Sequence, residues 1–250
     1  MTARRGVTGR IWTDPAAHTT INLMRTTALT VLLAAAALCA PEAFAITPPA
    51  RLVFVSGDVT VESKSGGRLG KTGAALADGD AVSTAAGAAA VVELADGSRL
   101  KLRESSRLVL TLPAVRSPVT EILLSMGSVF AKVTKRRLGE EFRVRTPSAV
   151  AAVRGTEFFT AYGRDRGAAR DLWVCVNEGA VEVRTDSSKA PLRVPAGKGV
   201  LIKSGLELTK PQAYDWTKKL NWKMDPKDGA LEDKTNLDAA YSDLLDQDYH

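Results

Sequence analysis

The chain is poor in the side chains on which most enzymes rely. Histidine occurs only at His18 and His250, and cysteine only at Cys39 and Cys175. A folded core built from the middle of the sequence therefore has no imidazole for a Ser–His or Cys–His pair, nor for an ordinary zinc site. There is no phosphate-cradling Walker-type loop, no nucleophile elbow and no paired-cysteine motif. The sequence thus predicts no catalytic, metal or cofactor site. A carboxylate-only hydrolase would have to draw on Glu140, Glu141, Glu157 or Asp165, yet acids in such number are ordinary on a surface. The Asp-Gly pairs lack the repeated acidic ligands of a calcium loop and read as turns.

Long hydrophobic runs are missing too. The apolar stretch over residues 28–40 is shorter than the roughly 20 residues that span a hydrocarbon core. With Arg25 before it and the small pair Ala43 and Ala45 after it, residues 24–45 read as a secretory signal peptide with cleavage after Ala45. The expected location is the periplasm or the exterior, with no membrane span once the signal is removed. Residues 1–23 read as an extension or a mis-assigned start, with Met24 as the alternative initiator. Arg4 and Arg5 lie too far upstream for a twin-arginine signal, and Leu38 does not suit a lipoprotein site at Cys39. An exported chain left with Cys175 alone has no internal disulfide, so packing must hold it together. Cys175 lies in the apolar run 172–176 and reads as a small buried hydrophobe.

Charge is unevenly placed. Residues 46–224 hold 28 Lys and Arg against 18 Asp and Glu, whereas residues 225–250 hold two lysines and eight acids. An acidic tail following a basic domain suggests docking or shielding. The densest basic spot is Lys132, Lys135, Arg136 and Arg137. Such a patch reads first as an ordinary charged hairpin tip; in an exported protein its partner would be anionic lipid, lipopolysaccharide or an acidic protein face rather than nucleic acid.

From residue 46 to 208 the pattern is that of short strands broken by turns. Phe142, Val144 and Thr146 alternate with Arg143 and Arg145, the period-2 pattern of a half-buried strand. Pro147 cannot donate to a ladder, so the strand is expected to stop at Thr146. Gly57, Gly127 and Gly179 each stand two residues before a valine that opens a strand, and they read as corner residues. The run over residues 85–90, rich in alanine, reads as a turn between strands. The fold class is all-β. After residue 209 the pattern turns helical: Ala213, Trp216 and Leu220 share one face behind Pro211. Leu237, Ala240, Tyr241, Leu244 and Leu245 form a second stripe, which either docks on the chain's own β-domain or serves as a partner-binding helix.

The arrangement Thr146, Pro147, Arg154, Gly155, Thr156 and Phe158, preceded by the elements at 76–84, 91–102 and 123–130 and followed by 176–183, resembles the FecR domain family, named for the ferric-citrate transport regulator. These six residues read as fold-determining, with Arg154 as a tie between neighbouring turns. The resemblance covers roughly residues 52–205. It implies a compact β-solenoid or a sandwich-like roll, and signalling by contact with an envelope protein partner. Family members often place a sigma-factor-binding segment before a membrane span. Too few residues precede the apolar run here for such a domain, so direct sigma-factor control is not expected. The resulting expectation is an exported, non-enzymatic sensing and protein-interaction module of the cell envelope. The alternative is an envelope scaffold binding anionic glycan or lipid through the basic patch.

Overall fold

A computed structural model describes residue 2 and residues 48–114, 117–135, 138–163, 171–203 and 207–240. Along the chain the strands are β1 (Ala50–Ser56), β2 (Val59–Ser63), β3 (Gly66–Leu69), β4 (Ala75–Leu76), β5 (Ala81–Thr84) and β6 (Ala89–Leu94). They continue as β7 (Arg99–Leu102), β8 (Arg107–Thr111), β9 (Val119–Lys132), β10 (Glu141–Arg145), β11 (Ala149–Val153) and β12 (Glu157–Tyr162). The last are β13 (Leu172–Glu178), β14 (Ala180–Thr185), β15 (Leu192–Pro195), β16 (Gly199–Lys203) and β17 (Glu207–Leu208).

Pairing divides these strands into two sheets. Sheet A runs β4–β1–β6–β7–β9–β12–β13–β16–β17. Sheet B runs β3–β2–β5–β8–β9–β10–β11–β14–β15. Only β9 belongs to both among the described strands: its first half pairs with β8 and β10, its second half with β7 and β12. The pairing is antiparallel except between β9 and β10. The inner faces share one core in which Leu52, Leu100, Val129, Phe158 and Val174 of sheet A meet Val61, Leu108, Ile122, Phe142 and Val183 of sheet B. Of the two architectures expected, this is the sandwich-like roll.

The chain passes from one sheet to the other at residues of positive φ: Gly57, Gly87, Ser105, Gly127, Gly155, Gly179 and Gly197. The corners are tied to one another. Ala85 N–H donates to Asp58 O, Ser105 N–H to Ala85 O, Val133 N–H to Thr156 O and Ala196 N–H to Gly179 O. At Gly127 a Cβ would press on Ser106, so the bend in β9 needs both the φ of +88° and the missing side chain. The corner role read for Gly57, Gly127 and Gly179, and the turn read for the alanine-rich run before β6, both match this arrangement.

The two sheets differ in what covers them. In β12 every residue is buried, and so are Leu172 to Val176 of β13. In β10 and β14 buried and wetter positions alternate. A strand reads as a continuous apolar run when both its faces are covered and as an alternation when one face meets water. Sheet A is covered outside by residues 211–240, called the strap below. Its Tyr214, Leu220, Met224, Leu237 and Ala240 pack with Phe130, Phe159, Trp173, Cys175 and Leu201.

The strap corrects one expectation. A helix starting at Pro211 does not form: Asp215–Lys219 is a 3-10 turn between extended residues, with no side-chain cap, and Ala213 is exposed. Five uncapped residues cannot sustain an α-helix alone, and burying Tyr214 and Leu220 on sheet A favours a chain stretched along it. A helical turn is present at residues 237–240. Among the described residues no helix is long and apolar enough to cross a membrane.

Candidate interaction site

Outer sheet B offers an open surface. Arg143 and Arg145 on β10 and Glu182 and Arg184 on β14 flank Val150 and Ala152 of β11, and Pro191 closes one end of this cavity of about 330 Å³. The register makes this a trough. Arg143 stands opposite Ala152 and Arg145 opposite Val150, while Val150 faces Arg184 and Ala152 faces Glu182 across the next pairing. Small side chains thus floor a channel between two charged rows. Arg143 bonds Glu141, whose carboxyl it holds below its ordinary pKa. Arg145 bonds Glu121 at 3.0 Å. Arg184 is exposed and makes no such bond among the described residues.

The residues singled out in the sequence fall around the corners. Thr146 closes the tight β10–β11 turn: its N–H donates to Ala149 O at 2.8 Å, and its hydroxyl accepts from Ala149 N at 3.1 Å. Pro147 stands in that turn, and β10 ends at Arg145. Phe158 is fully buried in the shared core. Gly155 has a φ of +76° and packs against Lys135, where a Cβ would crowd the backbone. The inter-turn tie is made by Thr156, whose hydroxyl donates to Ala180 O at 3.0 Å, while Arg154 beside it is exposed.

Lys132 and Lys135 are both exposed near the end of β9, Lys132 lying 3.4 Å from Glu157. Arg136 and Arg137 lie outside the described residues. Leu237 is buried against sheet A, and Tyr241, Leu244 and Leu245 lie outside the described residues. Of the acids considered for hydrolysis, Glu141 is engaged with Arg143, and Glu157 with Asn177 and Lys132, while Glu140 stands just before β10. Asp165 lies outside the described residues. No group of three or more metal-ligating side chains occurs among the described residues.

A feature that pattern reading missed lies on outer sheet A. Arg99, Lys101 and Arg103 follow one another at period 2 along and just beyond β7, and all three hold the strap. Arg99 donates to Asp225 at 2.7 Å. Lys101 Nζ donates to the carbonyls of Asn221 and Lys223, and Arg103 to those of Asp233 and Thr235 at 3.0 and 2.9 Å. Lys101 also stands 4.3 Å from the centre of the Phe130 ring. Burial pushes its pKa down to about 8.

The model of the FecR protein family matches residues 80–182, the stretch from β5 to β14 that contains the switch in β9 and the Gly155 and Gly179 corners. Residues 80–182 thus carry a FecR domain. That match supports a sensing role in signal transduction. Two crystal structures, at 2.50 and 1.65 Å, of a candidate anti-sigma factor from Parabacteroides distasonis are similar to the FecR-domain chain at 22% and 23% identity. Their TM-scores are 0.47 and 0.46, each over 56% of this chain and 62% and 63% of theirs. The match thus spans less than two thirds of those proteins. Among curated proteins no relative matches.

Proposed function

We propose that this FecR-domain protein is an exported, non-enzymatic sensing module of the cell envelope that works by binding a protein partner. The observation that carries the reading is the contrast between the two outer faces. The chain seals sheet A with its own strap and leaves on sheet B a charged trough floored by Val150 and Ala152. Rows of arginine and glutamate on a rigid sheet suit recognition by complementary charge, which sets specificity and encounter rate. The signal-like segment at residues 24–45 supports export. The engagement of Glu141 and Glu157 with cationic or amide side chains supports a role without bond chemistry.

Capture from envelope extract tests this, using the chain starting at Ile46 beside its Arg143→Glu, Arg145→Glu, Arg184→Glu variant. A protein held by the first and lost by the second supports the reading. Retention of anionic lipid or glycan instead, lost with salt and with Lys132→Ala and Lys135→Ala, would replace it with the scaffold alternative.

A further inference from the structure

We propose that outer sheet A is a second binding site, separate from the trough on sheet B, for a segment of a protein partner that carries two spaced carboxylates. At rest the strap fills it.

Three observations carry this. The first is how the strap is held. Lys101 bonds the carbonyls of residues 221 and 223, and Arg103 those of residues 233 and 235. At both places a side-chain oxygen, of Asn221 or of Asp233, accepts from the N–H two residues on, so each cation grips backbone at a turn that the strap's own side chain stabilises. Arg99 adds a carboxylate contact at Asp225, and Arg103 lies 3.8 Å from Asp233. The occupant that suits this row sets one carboxylate against Arg99 and another against Arg103, as the strap does with Asp225 and Asp233, although the strap as a whole carries six acids and five lysines.

The second is how little else attaches it. At its root Gly199 and Gln212 exchange two backbone hydrogen bonds of 2.7 and 2.9 Å. Beyond Gln212, among the described residues, no backbone–backbone hydrogen bond joins strap to sandwich. Side chains alone hold it, through spaced apolar plugs at Leu220, Met224 and Leu237. Segments attached so sparsely open at less cost than the sheets beneath them.

The third is fit. A cavity of about 440 Å³ remains where residues 231–238 pass over Gly87, Lys101, Arg103 and Glu104. In that region Asp233 Oδ2 is buried and lies 3.8 Å from Arg103 Nε, too far for a hydrogen bond. A segment that closes this distance would gain a charge-assisted hydrogen bond. The apolar floor of Phe130, Phe159 and Trp173 would stay buried only if another segment replaces the strap. That makes exchange, rather than simple release, the expected event.

The test uses the full-length chain and a fluorescein-labelled peptide of residues 219–240. In the wild type the tethered strap competes at an effective concentration in the millimolar range, so the peptide binds weakly. Leu237→Asp, checked for native near-ultraviolet dichroism, is expected to bind it at least tenfold more tightly. Adding Lys101→Met and Arg103→Met should remove that gain. A peptide keeping only Leu220, Trp222, Met224, Asp225, Leu231, Asp233 and Leu237, with the rest replaced by polar residues, should bind within a few-fold of the native peptide. If Leu237→Asp does not fold, Met224→Ala with Asp233→Ala serves as the milder opening. A folded, loosened variant that binds no more tightly than wild type overturns the proposal. So does binding indifferent to Lys101 and Arg103. Loss of capture through the sheet B trough bears on the other face and leaves this result unchanged.

Discussion

Lys101 holds its ammonium group 4.3 Å above the Phe130 ring, where the strap seals both from water. The ring face and two carbonyls replace part of the lost hydration, but burial dominates and lowers the pKa to about 8. An unfolded lysine titrates near 10.4. Between those values the unfolded chain binds a proton that the folded chain has released, so this group adds stability as pH rises. The gain is on the order of 3 kcal/mol at most. Burial raises the pKa of Cys175 and Tyr214, and those groups act in the opposite direction at alkaline pH. The difference between wild type and Lys101→Met isolates the lysine. Urea unfolding from pH 7 to 10 should show wild type gaining on the variant above pH 8.

Thr160 lies on the inner face of β12, opposite Val129 and Val174, and its hydroxyl has no hydrogen-bond partner. A buried hydroxyl left unpaired loses its hydration without return. Thr160→Val keeps the shape and removes the polar atom. The variant should be as stable as wild type or up to about 1 kcal/mol more stable, as read from denaturant midpoints at equal slope.

Gly87 and Gly127 separate two demands that glycine can meet at a corner. Their φ values are +72° and +88°, but a Cβ on Gly87 meets nothing within 4 Å, while one on Gly127 runs into Ser106. Gly87→Ala should cost about 1–2 kcal/mol from backbone strain alone. Gly127→Ala adds the clash and should cost about 3 kcal/mol or more, or fail to fold. Thermal or denaturant unfolding of the pair reads the difference.

These residues also show how far the sequence could be read. The corners were visible because glycine before a strand-opening valine is a local signal, and the half-wet strands because Arg143 and Arg145 alternate with Phe142 and Val144. The doubly covered strands were visible only in part. Residues 172–176 announce burial on both faces, but nothing in them says what lies outside. The grip of Lys101 and Arg103 was not legible. Each reads as an ordinary polar position in an alternating strand, and each is bonded to backbone carbonyls 120 or more residues away. Carbonyls carry no side-chain signature. The strap read as helix because the three- and four-residue spacing of Ala213, Trp216 and Leu220 is present. Tyr214, Leu220, Met224 and Leu237 instead serve as plugs on sheet A, and docking outweighs a weak local preference.

Cys175 gives the last prediction. It lies in the apolar layer between sheet A and the strap root, packed with Tyr214, and burial raises its pKa far above that of a free thiol. A thiol kept neutral and covered does not attack a disulfide reagent. In a Cys39→Ala background the native chain should therefore react with Ellman's reagent far more slowly than the unfolded chain. Tyr214→Ala removes the ring beside the sulfur and opens a path to it. That variant should react at least tenfold faster while keeping the native dichroism of the sandwich. Rapid reaction of the parent chain would mean that the strap root does not seal outer sheet A. An unchanged rate in Tyr214→Ala would mean that the seal lies elsewhere, in the cover supplied by Leu220 and Met224.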